Sequence, residues 1–292
     1  MTSNTPSIVV FGSLHYDIIV EGPGRPRKGE TVAGTNWYPK CGGKGANQAI
    51  ASARQGIATT MIGAVADDDF GRTLMNNLAE NGVDHRFVRA IKGASTGMSV
   101  AIFDSEGDYG AVIVSGSNLS LSQDDVNAAR EVFQPNAILV LQNEVPDAAN
   151  VAAARAMREV GGRVLINAAP ARALSPDLVG LIDILVVNAV EAEMLADVTE
   201  IEDLESATRA AIRLAKSYPV AVVTAGGAGV ASASADGTVI AVPAVKVKLV
   251  STHGAGDEFI GVLASRLASG DTMEAALKSA NAAAARLVST EH

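Results

Sequence analysis

Short apolar runs alternate with longer alanine-rich segments through most of the chain. Val, Ile and Leu fill the short runs, which is typical of strands buried on both faces, and the alanine-rich segments indicate helices between them. This alternation predicts an α/β fold with a mostly parallel sheet that helices cover on both faces. The predicted strands cover residues 7–12, 59–65, 137–142, 163–167, 183–188 and 220–224, and the first helices cover 47–54 and 71–80.

Two regions interrupt this alternation. Residues 17–40 contain glycine, proline and arginine followed by a β-prone run at 30–38, and residues 96–118 are typical of a hairpin. The hairpin strands are 98–103 and 109–114, joined by 104–108. Because no helix separates these strands, we predict a small antiparallel sheet outside the main one. We expect residues 1–292 to form one domain, in which this sheet closes as a lid over the carboxyl ends of the main strands.

The segment Gly254–Asp257 (Gly-Ala-Gly-Asp) follows an alternating run at 244–250, which predicts a strand, and precedes an amphipathic helix that ends at Gly270. Two glycines let the backbone turn tightly, so that several N–H groups and the helix N-terminus point at one spot. Such a spot binds anions, phosphates above all. A carboxylate there costs stability but serves chemistry, because a base can lie beside a phosphoryl group that the amides neutralise. We therefore interpret the segment as the active centre of a phosphotransferase.

The composition excludes several classes of protein. Although 48% of the 292 residues are hydrophobic, no apolar run approaches the ~20 residues of a membrane span, and the polar residues 1–7 lack the features of a signal peptide. The net charge of −9 argues against nucleic-acid binding, which needs basic patches. A single cysteine, Cys41, excludes an internal disulfide and fits a reducing compartment. We expect a soluble, cytoplasmic protein that binds neither nucleic acid nor membranes.

A second glycine-rich cluster covers residues 41–47 (Cys-Gly-Gly-Lys-Gly-Ala-Asn). It is not a Walker A loop, because Gly45 follows the lysine where Ser or Thr is required. One interpretation is an ordinary glycine turn that leads into a helix. The other rests on Lys44 and Asn47, which place hydrogen-bond donors among exposed amides at a helix start and so suit the hydroxyl groups of a sugar.

Further polar residues follow other strand ends. Asn188 and Glu191 could be a simple helix cap, Glu144 a loop acid, and the glycine-rich segment 224–229 a turn. The four histidines have no metal-ligand spacing. Because the carboxyl ends of parallel strands meet at one edge of a sheet, the shared position of these residues makes them a candidate site together.

The order of these motifs resembles that of the ribokinase-like, or phosphofructokinase-B, family of carbohydrate kinases, and most closely its ribokinase branch. The resemblance runs from about Ile8 to Val288 and rests on residues 42–48 (Gly-Gly-Lys-Gly-Ala-Asn-Gln) and on Gly254–Asp257, with support from 115–118 and from the stretch after Asn167. It implies a Rossmann-like core with a β-sheet lid. It also implies transfer of the γ-phosphoryl group of ATP, with Mg²⁺, to a primary hydroxyl of a small ribose- or fructose-like sugar.

The resemblance implies a role for individual residues. Asp257 would be the catalytic base, and the backbone at Gly254, Ala255 and Gly256 would form the anion hole with it. The sugar would be held by His15, Asp17, Gly43, Lys44, Asn47 and Glu144. ATP would lie against Asn188, Thr224, Gly226, Gly229 and Asn281. Glu191 would hold Mg²⁺ through water.

The chain departs from the family pattern in three places. His15 stands where family members usually have Asn, so the sugar hydroxyls should be contacted differently. Residues 251–253 (Ser-Thr-His) stand where ribokinases usually have Asp-Thr-Thr, whose Asp binds a monovalent cation. The sequence also ends where the loop with the other cation ligands would begin, and both differences argue against activation by a monovalent cation. Glu258 replaces a small residue in the first helical turn, where its charge suits the helix N-terminus but adds to that of the phosphates.

Two other functions stay open at this point. In a nucleoside kinase of the same fold, Tyr16 and Trp37 could stack on a base. A non-catalytic sugar or nucleotide sensor would keep the fold, and Ser251 favours that function, whereas the intact glycine signatures oppose it. The apolar residues Val32 and Trp37 and the strand at 98–103 also give the lid a surface through which a homodimer could form.

Overall fold

The computed structural model describes residues 5–104, 109–251 and 254–290. Most of the expected hairpin loop at 104–108 therefore lies outside the described residues. So do Thr252 and His253, which belong to the segment in front of Gly254.

The described parts of the chain form thirteen strands in two sheets. In chain order they are β1 (Ser7–Phe11), β2 (His15–Glu21), β3 (Asn36–Gly42), β4 (Ala58–Ala66), β5 (Asp84–Ile91), β6 (Met98–Phe103), β7 (Tyr109–Val114), β8 (Ala137–Gln142), β9 (Arg163–Asn167), β10 (Ile184–Asn188), β11 (Val220–Thr224), β12 (Gly229–Ser234) and β13 (Val239–Pro243). The α-helices are α1 (Lys44–Ala53), α2 (Asp69–Glu80), α3 (Gln123–Ala128), α4 (Asp147–Glu159), α5 (Pro176–Val179), α6 (Ala189–Ala196), α7 (Leu204–Leu214), α8 (Ala255–Ala268) and α9 (Met273–Val288).

The apolar runs form a nine-stranded sheet with the order β13-β12-β11-β10-β9-β8-β1-β4-β5. All neighbouring strands are parallel except the pairs β11–β12 and β12–β13. The central strand β8 is buried at every position, as expected for a strand with helices on both sides. This confirms the predicted α/β architecture and brings the carboxyl ends of β1, β8, β9, β10 and β11 to one edge.

Alternate side chains of the central strands enter two separate hydrophobic cores. Val9 of β1 packs in the core that α3, α4, α5, α6 and α7 cover, and Val10 packs in the core that α1, α2, α8 and α9 cover. Alanine is abundant in both cores, which lets the helices lie close to the sheet and to each other. No described helix is both long and apolar enough to cross a membrane.

A close helix contact joins α1 to α8 at Gly261. A Cβ added at Gly261 would lie 2.4 Å from the Cβ of Ala51, 2.8 Å from the carbonyl oxygen of Gln48 and 2.8 Å from the backbone nitrogen of Ser52. Two of these atoms belong to the α1 backbone, so only glycine allows the two helices to approach this closely. The Ser52 hydroxyl donates across the same contact to the carbonyl oxygen of Gly261 at 3.2 Å.

The small sheet has the order β3-β2-β6-β7. Its outer pairs, β2–β3 and β6–β7, are antiparallel, and the central pair β2–β6 is parallel because the chain visits the main sheet between them. The sheet is attached to α2 by Tyr16, whose ring stacks on that of Phe70 with 4.2 Å between the ring centroids. The predicted hairpin strands 98–103 and 109–114 are confirmed.

One predicted strand is absent and another is shifted along the chain. Residues 244–250 form no strand, because they run from β13 to the end of α9, where the Val250 N–H donates to the carbonyl oxygen of Val288 at 2.7 Å. Val245, Val247 and Leu249 stay exposed. The β-prone run at 30–38 is a strand only from Asn36, and that strand extends to Gly42. Pairing decides this boundary, since Glu21 at the end of β2 is the partner of Asn36.

We predict that Gly261→Ala destabilises the protein by about 1–3 kcal/mol, because α1 and α8 must separate to admit the methyl group. Urea unfolding followed by circular dichroism measures the change. Gly180→Ala is the matched control, since a Cβ there has no neighbour nearer than 3.9 Å. A free energy of unfolding that is equal in the two variants would contradict the close α1–α8 contact.

Candidate active site

Asp257 lies in the first turn of α8, at the carboxyl edge of the main sheet. Gly254 precedes the helix with φ = 80°, a left-handed conformation that favours glycine, and no described side chain caps the helix. The N–H groups of Ala255, Gly256 and Asp257 therefore have no acceptor within the helix. A Cβ added at Gly256 would meet no atom within 4 Å, so there is open space beside these amides. The helix start thus offers N–H groups and the positive end of the helix dipole to an anion.

Two side chains of α1 hold the Asp257 carboxylate. Asn47 Nδ2 donates to Asp257 Oδ2 at 2.9 Å, and Gln48 Nε2 donates to Asp257 Oδ1 at 2.9 Å. Asp257 is only 8% exposed. Burial raises its pKa above the ordinary range of an aspartate, whereas the positive charge of Lys44 and the two amide donors act in the opposite direction. The Asp257 carboxylate is therefore buried, and two amide donors fix its orientation.

Gly43 and Lys44 place the start of α1 against the connection between β1 and β2. Gly43 has φ = 90°, and a Cβ there would lie 2.7 Å from the backbone nitrogen of His15. Glu144, which follows β8, joins these parts: its Oε2 accepts from the Lys44 backbone N–H at 3.0 Å and from the Ser13 hydroxyl at 2.5 Å. Glu144 thereby fixes the helix start beside Asp257.

His15 and Asp17 enter the same region from β2. His15 is 3% exposed; its Nδ1 lies 3.7 Å from Glu144 Oε2, and its Nε2 has no hydrogen-bond partner among the described residues. Asp17 Oδ1 accepts from the Ser99 hydroxyl of β6 at 2.5 Å, and its Oδ2 lies where a Cβ on Gly42 would be. The residues predicted to hold a sugar therefore converge from β2, α1 and the end of β8.

Asn188 and Glu191 form the helix cap that the sequence suggested. Asn188 Oδ1 accepts from the Glu191 N–H at 2.9 Å, and Glu191 Oε2 accepts from the Asn188 N–H at 2.9 Å. Glu191 is also buried, which raises its pKa, and it interacts electrostatically with Lys44 and Asp257. The ionisation of the Glu191 carboxylate therefore depends on the charges of Lys44 and Asp257 in the candidate site.

Thr224, Gly226, Gly229 and Asn281 lie together around the ends of β11 and β13. Thr224 of β11 lies opposite Asn188 on the neighbouring strand β10, and its hydroxyl donates to the carbonyl oxygen of Val187 at 3.4 Å. The chain then turns through Gly226, where a Cβ would meet nothing within 4 Å. Gly229 opens β12 opposite Pro243, whose carbonyl oxygen accepts from Asn281 Nδ2 of α9 at 2.8 Å. These residues border an open, glycine-lined ledge next to Asn188.

Sequence reasoning assigned no role to four buried polar residues of this region. Ser13 bridges Glu144 and the N–H of Gly45. Asn118 holds the backbone of Leu14 beside His15, because its Oδ1 accepts from the Leu14 N–H and its Nδ2 donates to the Leu14 carbonyl oxygen. Gln48 and Gln142 are completely buried and hydrogen-bonded to each other. The available signal was the place of Gln48 and Asn118 in the motifs 42–48 and 115–118, and the polarity of Ser13 and Gln142 next to apolar runs.

Within residues 5–104, 109–251 and 254–290, no group of three or more His, Cys, Asp or Glu side chains is arranged to hold a metal ion. The carboxylate of Glu191 interacts electrostatically with Lys44 and with Asp257, so it lies within electrostatic range of the candidate site. Carboxylate oxygens are the ligands that Mg²⁺ takes, usually together with several waters and substrate phosphates. The residues present therefore fit a water-mediated magnesium site better than an all-protein one.

Comparisons with known proteins identify the family to which the chain belongs. Residues 5–292 match the family model "pfkB family carbohydrate kinase". The chain is 34% identical over 264 residues to the ribokinase of Mus musculus, covering 90% of this chain and 82% of that one. It is also 34% identical over 278 residues to the ribokinase of Bacillus subtilis, covering 95% and 91%. The structure of Arabidopsis thaliana ribokinase complexed with ribose and ATP is similar, with a TM-score of 0.89, 30% identity and coverage of 99% and 94%.

The chain therefore belongs to the pfkB family of carbohydrate kinases. It is an ATP-dependent sugar kinase, a phosphotransferase with an alcohol group as acceptor. Its fold, with a nine-stranded sheet and a separate four-stranded one, agrees with this membership.

We predict that Asp257→Asn lowers kcat by roughly 10²–10⁴-fold, because the amide cannot accept the proton of the acceptor hydroxyl. Initial rates of ADP formation at saturating sugar and ATP measure the loss. Asp236→Asn, in the exposed turn between β12 and β13, is the control and should keep the wild-type rate. Turnover near the wild-type rate in Asp257→Asn would remove Asp257 from the reaction.

Proposed function

We propose that this sugar kinase phosphorylates the primary hydroxyl of ribose, or of a sugar of similar size, with ATP as donor. The observation that carries the proposal is the position of Asp257: a buried carboxylate at an uncapped helix N-terminus, beside Lys44 and within 2.9 Å of a donor on Asn47. The identity to ribokinases over most of the chain supports ribose as the acceptor.

In the proposed reaction the sugar binds among His15, Asp17, Gly43, Lys44, Asn47 and Glu144. Asp257 accepts the proton of the primary hydroxyl while the hydroxyl oxygen forms a bond to the γ-phosphorus. The bond between that phosphorus and the β–γ bridging oxygen breaks, and ADP leaves with its electron pair. Phosphoryl transfer of this kind needs mainly alignment and neutralisation of charge. The N–H groups of Ala255, Gly256 and Asp257 supply the neutralisation.

We propose that ATP lies along the ledge formed by Thr224, Gly226, Gly229 and Asn281. The open space at Gly226 and Gly256 supports this assignment, because phosphate and ribose groups need close access to the backbone. Asn188 would contact the phosphates, and Glu191 would hold Mg²⁺ through water. When bound, the magnesium ion neutralises charge on the phosphate oxygens. The residues of the chain itself align the hydroxyl and remove its proton.

The two aromatic side chains that would favour a nucleoside substrate are engaged elsewhere or point away. Tyr16 stacks on Phe70 of α2. Trp37 pairs with Val20, and alternation along β2 puts Val20 on the sheet face opposite to Asp17. No contact in the described residues therefore favours a nucleoside over a sugar.

We further propose that the small sheet acts as the lid of the site and that two copies of the chain meet through its outer face. Trp37, Val112 and Val114 are 65%, 69% and 50% exposed, and cross-strand pairing places all three on the face opposite to Asp17. Apolar side chains on one exposed face are typical of an interface. The single free thiol at Cys41 supports a location in the reducing cytoplasm.

For the substrate, we predict ADP formation from Mg-ATP with ribose, and weaker turnover with 2-deoxyribose, fructose and nucleosides. His15→Asn should change the ratio of kcat/KM between these acceptors by roughly 10-fold, because an imidazole and an amide satisfy different hydroxyl groups. His85→Asn, on β5, is the matched control and should leave the ratio unchanged. Turnover with nucleosides alone would overturn the sugar assignment, and an unchanged ratio in His15→Asn would remove His15 from the pocket.

For the dimer, we predict that the protein sediments as a dimer at micromolar concentration and that Val112→Glu converts it to a monomer. A buried carboxylate in an apolar interface would be strongly unfavourable. Ile212→Glu changes an exposed apolar residue of α7 and should leave the dimer intact. A monomeric wild-type protein, or a dimer that tolerates Val112→Glu, would contradict this interface.

A further inference from the structure

Behind Asp257 lies a chain of buried amides that no substrate can reach. Gln142 Nε2, at the end of β8, donates to Gln48 Oε1 of α1 at 2.9 Å. Gln48 Nε2 in turn donates to Asp257 Oδ1 at 2.9 Å and to Asn167 Oδ1 of β9 at 3.1 Å. Gln48 and Gln142 are both completely buried. We call the Gln142–Gln48–Asp257 sequence of hydrogen bonds the glutamine relay.

The direction of the glutamine relay follows from the chemistry of its end. An ionised carboxylate only accepts hydrogen bonds, so Gln48 must present its NH₂ group to Asp257. The carbonyl oxygen of Gln48 then faces the other way, towards Gln142, and needs a donor there. Gln142 must therefore present its own NH₂ group. One orientation of both amides satisfies Asp257, and the opposite orientation would aim a carbonyl oxygen at it.

The orientation of the Gln142 amide leaves its side-chain oxygen without a hydrogen bond. Its Oε1 is buried and has no hydrogen-bond partner among the described residues, which costs stability. That oxygen lies only 1.9 Å from where a Cβ on Gly12 would be, so any larger residue at position 12 would displace it. A side chain that forms one hydrogen bond and leaves an acceptor unpaired is poorly suited to a purely structural role.

We propose that Gln48 and Gln142 are positioning residues for phosphoryl transfer: Gln142 orients the Gln48 amide, and Gln48 fixes the Asp257 carboxylate so that its other oxygen faces the acceptor hydroxyl. The inference rests on the proposed function of Asp257 as the base. Neither glutamine contacts the substrate, so both act on the rate and not on sugar binding.

The test uses the full-length chain with Mg-ATP and its best sugar acceptor. Gln48→Met keeps the volume but removes the donor, since the thioether is at most a weak acceptor. We expect kcat to fall by roughly 10–100-fold, the loss typical of a hydrogen bond to a charged group, while the KM for sugar changes little. We also expect the acidic limb of the pH profile of kcat/KM to move upward by roughly one pH unit, because the ionised carboxylate loses a donor.

Gln142→Met tests the relay without altering any atom next to Asp257. It should lower kcat less than Gln48→Met does, and the double variant should equal Gln48→Met, because Gln142 acts only through Gln48. Asn150→Leu is the matched structural control. Its Nδ2 donates to the backbone oxygen of Gln142 at 2.7 Å, so it disturbs the same strand end but not the relay. It should lower stability and leave the pH profile unchanged.

Three outcomes would overturn the glutamine relay. The first is a wild-type pH profile of kcat/KM in both methionine variants. The second is an equal shift of that profile in Asn150→Leu. The third is a loss of kcat in the double variant that equals the sum of the two single losses in free energy. Should Gln48→Met fail to fold, the pH profile of Gln142→Met decides the matter alone. An inactive Asp257→Asn together with wild-type kinetics in both methionine variants would overturn the relay but keep the proposed function, whereas an active Asp257→Asn would overturn both.

Discussion

The close contact between α1 and α8 is the constraint on which the candidate site depends. Gly261 lets the two helices approach until backbone touches backbone, and this approach brings Asn47 and Gln48 of α1 to the Asp257 carboxylate of α8. The same contact sets the start of α1 beside Glu144 and the β1–β2 connection. A shift of 1 Å between the helices would therefore separate the base from its donors and from the sugar pocket at once.

Burial of acidic groups makes this arrangement costly for the folded protein. Burial raises the pKa of Asp257, Glu191 and Glu258, so each carboxylate is harder to ionise in the folded state than in the unfolded chain. Their effect on stability is favourable at low pH and is lost as the pH rises through the raised pKa values. Lys44 offsets part of this cost at Asp257 and Glu191, and Arg54 and Arg286 do so at Glu258. Such a concentration of destabilising charge is typical of functional sites.

The sequence predicted the fold well, and it predicted glycine-rich helix starts at the candidate site, because both depend on local patterns. Apolar runs with alanine-rich segments gave the parallel sheet, and the glycine signatures gave the starts of α1 and α8. Pairing partners were not predictable: residues 244–250 alternate like a strand but find no neighbouring strand, and β3 begins where Glu21 offers a partner. The roles of Gln48 and Gln142 also stayed hidden, since residues 94 positions apart become neighbours only in the folded chain.

The pH dependence of kcat/KM tests the central claim, that a buried and hydrogen-bonded Asp257 is the base, most directly. The carboxylate must be ionised to accept a proton, so activity should fall as the pH drops through its pKa. Because burial raises that pKa, the account predicts an acidic limb above the ordinary range of an exposed aspartate, and no such limb in the residual activity of Asp257→Asn. An acidic limb at the same pH in wild type and Asp257→Asn would contradict the account.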